Sequence, residues 1–353
     1  MRVCLLQLIE RLNDLRAFID GIEKQAEILR FDVQSTNPTK IESLLIDYQT
    51  HFYNFSTKRV FDYKTIIITL YGCLENYVEN LLKAYLTRIS YIISNYADLP
   101  LDIRENHYRQ SAELLLKLDY PKYRGVVTRE TVIGNMHSCI NTPTSYKLNI
   151  DAFTNHSSNF RSSSVNEFFS VIGISGISSK VKSHPKFVEF FSAIGPEVDL
   201  HTTKDDIIFE VLEDIAFRRN NVAHGVEGNI ASIEILRSYI RFVELYATCL
   251  NDVIFLNMLQ YEVEFNSIHL NSPIAVYSNH IICLSLENTA IKVGDIIVAE
   301  TQNPSYPFLY GNIKCIQVNK NSISELAPEP IIEVGIEVEF NAKDNHKFHL
   351  IKK

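Results

Sequence analysis

The sequence predicts a mostly α-helical protein that ends in a small antiparallel β-barrel. Three observations predict it. Up to about Tyr261, apolar residues recur three and four apart, the spacing of one helix face. The strongest run, Ile67, Tyr71, Leu74, Val78, Leu81 and Tyr85, forms a continuous stripe on one long helix. After Tyr261 the pattern changes to short β-branched runs separated by Pro- and Asn-rich breaks.

Taken in order, Leu5, Ile9, Leu12, Leu15 and Ile19 mark a first amphipathic helix over about thirty residues. The break S-T-N-P-T-K from Ser35 ends it, with Pro38 placed to start a second helix over roughly 41–54. The long striped helix spans about Asp62 to Asn95, with Glu75 and Glu79 along the border of its stripe. Those two carboxylates are either a solvated edge or the holder of an arginine. Two short helices follow, Glu105–Leu118 and Thr128–Ile140, and then a polar loop through His156 and Asn159 to Ser164. Such a loop is either functional or a plain surface insertion. A short helix over Val165–Ile172 stops at Gly173. Thr203 with Asp206 resembles a capping box and opens a helix that ends near Gly225 or Gly228. A last helix covers about Ile230–Leu259, which puts a domain boundary near residue 260. Residues 1–260 are then the helical domain and 261–353 the barrel. Its strands fall at Ile281–Leu284, Asp295–Ala299, Ile313–Ile316 and Ile331–Phe340, a spacing that by itself suits a small antiparallel barrel or a sandwich.

Charge and cysteines narrow the function classes. The formal net charge of -8 argues against a protein that coats bulk nucleic acid, so any RNA contact must be local. Charge is unevenly spread: residues 103–191 carry eleven Lys or Arg against seven Asp or Glu, and residues 261–353 carry seven against eleven. The six cysteines never form a C-x-x-C pair, which argues against a zinc site and a disulfide framework and for a reducing cytoplasm. Glu10 and Arg11 interrupt the N-terminal apolar run, so no signal peptide is expected. No uninterrupted apolar segment of membrane-spanning length is expected either.

The most informative feature is the string Arg219-Asn220-Asn221-Val222-Ala223-His224, closed by Gly225. Arginine offers a fixed fork for phosphate. Histidine offers a proton donor or acceptor near neutral pH. With about 100° per residue, Asn220 and His224 share a face with Asp206, Glu210, Glu213 and Phe217. Arg219 points instead toward Ile208, Leu212 and Ile215. An arginine there needs a carboxylate, a phosphate or a turn of the helix, because an unpaired buried charge costs several kcal/mol. Arg218 lies four residues after Asp214 and has an ordinary surface-pair explanation. His224 also has a plainer reading, as a helix C-terminal residue favoured by the dipole.

The string Arg219-Asn220-x-x-x-His224 resembles the R-x4-6-H signature of HEPN proteins (higher eukaryotes and prokaryotes nucleotide-binding). Leu212–Gly225 is similar to the motif helix of the RiboL-PSP-type and related bacterial HEPN families. Leu70–Glu79 resembles their early core helix, and Ser158–Arg161 with Phe168–Ile174 is also similar to that group. The resemblance covers roughly residues 60–260. It implies a HEPN-type helical bundle that forms a homodimer with two motif helices facing one cleft. It further implies a metal-independent endoribonuclease that uses no cofactor and acts in antiphage defence, in abortive infection or as a toxin. Its partners would be RNA, of a class the sequence does not distinguish, and an antitoxin or defence-system protein. In that reading His224 is the general acid or base, Arg219 binds the scissile phosphate or orients the site, and Asn220 positions the phosphate or the histidine. The alternative is a non-catalytic HEPN-fold scaffold or antitoxin-like partner, with Arg219 in a structural ion pair with Glu75 or Glu79.

The C-terminal residues Ile291–Val298, Ile313–Asn319 and Ile332–Phe340 resemble the second-domain barrel of translation elongation factors, which implies docking onto RNA or a protein. Val293-Gly294-Asp295 is equally a turn into a strand. Tyr306, Phe308 and Tyr310 either stack on bases or pack over the barrel end. No P-loop, G-x-G-x-x-G, H-E-x-x-H or G-x-S-x-G occurs. His346 and His349 are too isolated to form a metal site.

Overall fold

The apolar stripe of the long helix becomes the axis of the helical part of the protein. The computed structural model describes residues 1–33, 38–51, 55–156, 158–194, 198–226, 228–303 and 306–352. Parts of three expected features, at residues 35–37, 157 and 304–305, and the end of the second helix at residue 54 lie outside them. The chain divides into two compact units, Met1–Arg88 with Asn95–Ile254, and Ile89–Ser94 with Phe255–Lys353.

The first unit holds the long helix α1 (Arg2–Leu29), α3 (Phe55–Ile92) up to Arg88 and α11 (Ile233–Asn266) up to Ile254. The stripe residues Ile67, Tyr71, Leu74, Val78, Leu81 and Tyr85 are all buried. Each contributes roughly 1.5–3 kcal/mol of hydrophobic stabilisation. Leu8, Leu12, Leu15 and Ile19 form the inner face of α1. Tyr77 Oη donates to the Ala247 carbonyl of α11 at 2.7 Å, and Arg16 of α1 pairs with Glu244 of α11. By length and composition α11 could cross a membrane, but its most apolar stretch is mostly buried. Leu236, Ile240, Val243 and Ala247 face the core of this unit.

The remaining helices are α2 (Lys40–His51), α4 (Leu101–Leu116), α5 (Arg129–Asn141), α6 (Ser162–Ser170), α7 (Ile177–Lys182), α8 (Pro185–Ile194), α9 (Asp205–Ile208) and α10 (Glu210–Ala223). Thr128 caps α5 by accepting from Thr131 N at 3.2 Å, as its hydroxyl suits. Gly173, with φ +82°, stops the chain after α6, where a Cβ would lie 2.8 Å from Asp102 Oδ2. Two expectations fail here. The helix foreseen from Thr203 is broken at Phe209, whose buried ring packs against Phe187 and Tyr246. The Thr203–Asp206 capping box does not form: the N-cap is Lys204, without a side-chain bond. Asp199 organises the preceding turn by accepting from His201 N and Thr202 Oγ1.

In the second unit, the expected closed β-barrel is replaced by open sheets. Strands β1 (Ile268–His269), β11 (Lys347–Ile351), β5 (Ile296–Glu300) and β6 (Phe308–Asn312) form one antiparallel sheet in that order. A second holds β2 (Ala275–Tyr277), β3 (Ile281–Leu286), β10 (Ile332–Glu337), β7 (Cys315–Val318) and β8 (Asn321–Ile323). A two-stranded ladder joins β4 (Ile291–Lys292) to β9 (Glu325–Leu326). The reason is geometric. Several strands are two or three residues long, too short for a ladder carried around a circle. Among the described residues no ladder joins the two larger sheets. The chain instead passes between them at Ile313–Lys314, pinned by Ile313 N to Asp295 O and Lys314 N to Glu337 O, both at 2.8 Å. Phe308 and Tyr310 pack with Phe255, the Tyr310 and Phe255 rings 4.7 Å apart, so these aromatics serve packing. Tyr306 does not belong to that cluster.

Candidate active site

Helix α10 carries the Arg219–His224 string to the end of its last turn. His224 is the C-cap residue, Gly225 follows at φ +68°, Val226 N donates to Asn221 O at 2.9 Å and Gly225 N to Val222 O at 3.3 Å. This is a Schellman closure, and the glycine supplies the left-handed residue it needs. The imidazole of His224 is thereby held at an exposed helix end. Because the helix breaks at Phe209, Asp206 and Ile208 fall out of the register that ideal geometry gave them.

The two adjacent arginines have different environments. Arg218 Nε donates to Asp214 Oδ2 at 2.9 Å and to Tyr239 Oη at 3.2 Å, while Nη1 donates to Tyr63 Oη at 3.2 Å and to the Asn229 carbonyl at 2.8 Å. Tyr239 also donates to Asp214. Burial disfavours the charge of Arg218, but these bonds outweigh it and raise its pKa. Arg219 has no carboxylate within ion-pair distance among the described residues. Its guanidinium lies 5.2 Å over the Tyr71 ring, and Nη1 makes a long 3.3 Å bond to Asn220 Oδ1. Asn220 Oδ1 also accepts from Asn159 Nδ2 at 2.6 Å, which ties the motif helix to the polar loop.

Tyr71 links these groups to the rest of the cluster. Its hydroxyl accepts from the Phe160 backbone N–H at 3.0 Å and donates to Glu75 Oε1 at 3.1 Å. Burial, with the Glu75 charge, raises its pKa, so the phenol stays protonated. His156 Nε2 lies 2.9 Å from Glu79 Oε1 and 3.9 Å from Glu75 Oε1, and its Nδ1 lies 3.0 Å from the Ser158 carbonyl. Both ring nitrogens face acceptors, which calls for the doubly protonated imidazolium. Burial opposes that charge, but the bonds to Glu79 and Ser158 prevail and raise the His156 pKa. Burial likewise pushes the Glu79 carboxyl up, and its bonds to His156 and Lys122 (2.6 Å) bring it below the usual value. Arg161 closes the cluster with a 2.8 Å bond to Glu213 of α10.

Glu75 and Glu79 are therefore occupied by Tyr71, His156 and Lys122, and the ion pair with Arg219 does not form. The three string residues Arg219, Asn220 and His224 lie on one helix end, the first two half-buried and the third exposed. Sequence reasoning singled out neither the Tyr71 ring under Arg219 nor the second histidine, His156. The only signal for them was the polar loop itself and the stripe to which Tyr71 belongs. Beside the string, a cleft of about 740 Å³ is lined by Tyr63, Lys64, Phe217, Asn221, Val222 and Val226, among others. Among the described residues no group of three His, Cys, Asp or Glu could hold a metal ion.

No curated protein and no solved structure matches this chain. The family model described as RiboL-PSP-HEPN matches residues 36–255 and leaves the C-terminal strands outside the match. That span covers more than half of the chain and every residue of the cluster around Arg219, and on this ground the chain belongs to the RiboL-PSP-HEPN family.

Proposed function

We propose that this protein is a metal-independent endoribonuclease that cuts RNA at a site built from two copies of the Arg219–His224 string, and that it acts in bacterial antiphage defence or as a toxin. The observation that carries this reading is Arg219. It is pinned over a neutral ring rather than neutralised by a carboxylate, one turn from an exposed histidine at the same helix end. A guanidinium in that state keeps its fork free for a phosphate.

The chemistry needs no resident group. A base removes the proton of a ribose 2′-hydroxyl while that oxygen attacks the neighbouring phosphorus. The bond from phosphorus to the 5′-oxygen breaks, and an acid delivers a proton to the departing oxygen. The products are a 2′,3′-cyclic phosphate and a free 5′-hydroxyl. His224 takes one proton-transfer role and the same residue of a second copy takes the other. Arg219 holds the charge that builds on the phosphorane, a task for positioned electrostatics. Asn220, fixed by Asn159, orients Arg219. Pairing is favoured by apolar side chains beside the string: Phe217 is 57% and Val226 53% exposed, and both line the same cleft.

The test incubates cellular RNA with the full-length protein and with His224→Ala and Arg219→Ala, with and without EDTA, and maps the new ends. The expected result is cutting by the unaltered chain alone, insensitive to EDTA, leaving cyclic-phosphate ends, from a dimer by light scattering. Equal cutting by the His224→Ala protein would reject the assignment.

A further inference from the structure

A second cleft is lined in part by His156. It measures about 560 Å³ and is lined by Gln110, Glu113, Lys117, Tyr120, Lys122, Tyr123, Asn155 and His156. Its volume is that of a small-molecule site. Three features distinguish it from an ordinary surface hollow. First, its lining gathers cations in a protein of net charge -8: Lys117, Lys122 and His156 stand there with Glu113, and Glu79 pairs with Lys122 and His156. Second, its cations are braced. Lys117 Nζ donates to Asn155 Oδ1 at 3.0 Å with Glu113 at 3.7 Å, and Lys122 Nζ donates to Glu79 at 2.6 Å and the Thr154 carbonyl at 2.8 Å. Each ammonium has three N–H donors, so each retains one for a further acceptor. Third, Tyr120 lines the cleft while 57% exposed, with its backbone fixed because its carbonyl accepts from Tyr123 N and Arg124 N.

His156 ties this cleft to the cluster around Arg219 through hydrogen bonds. The same imidazole that lines it is bonded to Glu79 and approaches Glu75, which receives the hydroxyl of the tyrosine beneath Arg219. A braced pair of ammoniums suits a phosphodiester, and an exposed phenol suits the face of a base.

We propose that this cleft is a nucleotide subsite for unpaired RNA, in which Tyr120 stacks on a base and Lys117 and Lys122 hold a phosphate of the same strand. The proposal rests on the ribonuclease reading for its substrate, and it makes the enzyme selective for single-stranded segments, since a base inside a duplex cannot reach Tyr120.

The test measures binding rather than cutting. A fluorescein-labelled single-stranded RNA of about ten nucleotides is titrated by anisotropy into the full-length His224→Ala protein, alone and combined with Tyr120→Ala, Tyr120→Phe or Lys117→Gln. Tyr120→Ala should weaken binding about tenfold, the worth of one stacked base, and Tyr120→Phe should restore it. Lys117→Gln should weaken binding and lower the slope of log affinity against log salt by about 0.7, one phosphate contact on a single strand. A blunt RNA duplex should bind more weakly and be indifferent to Tyr120. Equal affinities for all four proteins, no RNA binding at all, or a duplex that binds as well as the single strand would overturn the subsite. Cutting by the unaltered chain, assayed in parallel, reports separately on the ribonuclease reading, which survives if only the Tyr120 and Lys117 effects are missing.

Discussion

Arg218 and Arg219 are neighbours in sequence, yet the structure assigns their removal opposite outcomes. Arg218→Ala deletes four hydrogen bonds, one of them to the Asp214 carboxylate, and leaves Tyr63 Oη and the Asn229 carbonyl without that partner. The Asp214–Arg218 pair is partly exposed, with side chains 37% and 20% accessible, so its Coulomb share must be discounted for solvent. Hydrogen bonds to a charged group then leave a cost of about 2–3 kcal/mol. Arg219→Ala loses a stacking contact worth roughly 0.5–1 kcal/mol and one long bond to Asn220, and strands no carboxylate. Its total is about 1 kcal/mol. Had Arg219 been buried in an ion pair with Glu75 or Glu79, the cost would be about 3–5 kcal/mol. The chain contains no tryptophan, so urea unfolding is followed by far-ultraviolet circular dichroism, which reports the helical unit. RNA cutting is measured on the same preparations. Arg219→Ala is expected to fold, unfold near the parent midpoint and lose activity. Arg218→Ala is expected to unfold earlier. An Arg219→Ala protein destabilised more than the Arg218→Ala protein would refute the assignment.

Three further outcomes follow from the same contacts. His156 has a raised pKa, so its contribution to stability is present below the ordinary imidazole value and lost as pH rises through the folded value; Glu79, lowered, contributes above the ordinary carboxylate value and is lost in acid. Thermal midpoints of the parent chain should therefore fall more steeply than those of His156→Gln as pH rises above the ordinary imidazole value, and parallel curves would remove the pair from the account. Tyr71→Phe keeps the ring under Arg219 but takes the acceptor from the Phe160 backbone N–H, a loss of about 1–3 kcal/mol in urea unfolding, and a loss under about 0.5 kcal/mol contradicts it. Gly225→Ala meets no atom within 4 Å, so only the positive φ of its backbone resists, costing about 1 kcal/mol; RNA cutting should fall more than stability does, because His224 is the residue released.

What could be read from sequence divides along the range of the interactions concerned. The stripe of α3, the helix beginning at Thr128 and the stop near Gly225 or Gly228 are decided within a few residues; the stripe is buried, Thr128 caps α5 and Gly225 takes the positive φ. The break at Phe209 depends on Phe187 and Tyr246, and no local spacing encodes it. The same holds for the strands. Ile281–Leu286 is visible as a strand, but its partner Ile332–Glu337 lies some fifty residues on, and closure against openness is a property of that pairing. In the candidate site, Arg219, Asn220 and His224 are legible because they share one turn and a half. His156 is not, because its meaning comes from Glu79, separated from it by 77 positions.

The placement of Arg219 also bears on how such a site can be stable before substrate arrives. A guanidinium needed by a phosphate must be held, or its ordering would be charged against binding, yet a carboxylate that held it would have to be displaced by the phosphate. An aromatic face resolves the conflict. Tyr71 offers attraction without a formal charge, and burial keeps its phenol from ionising into one. The two nearby carboxylates that could have captured the arginine are themselves occupied, Glu75 by Tyr71 and Glu79 by His156 and Lys122. On the ribonuclease reading, His156 supports the site through Glu79 without touching RNA at the scissile bond. With its imidazole removed, Glu79 loses one of its two cationic partners and a negative charge is left less compensated near the Tyr71–Glu75 end of the cluster. His156→Gln should then weaken RNA binding to the His224→Ala protein more below the ordinary imidazole pKa than at alkaline pH above the raised one, and an effect independent of pH would break the argument.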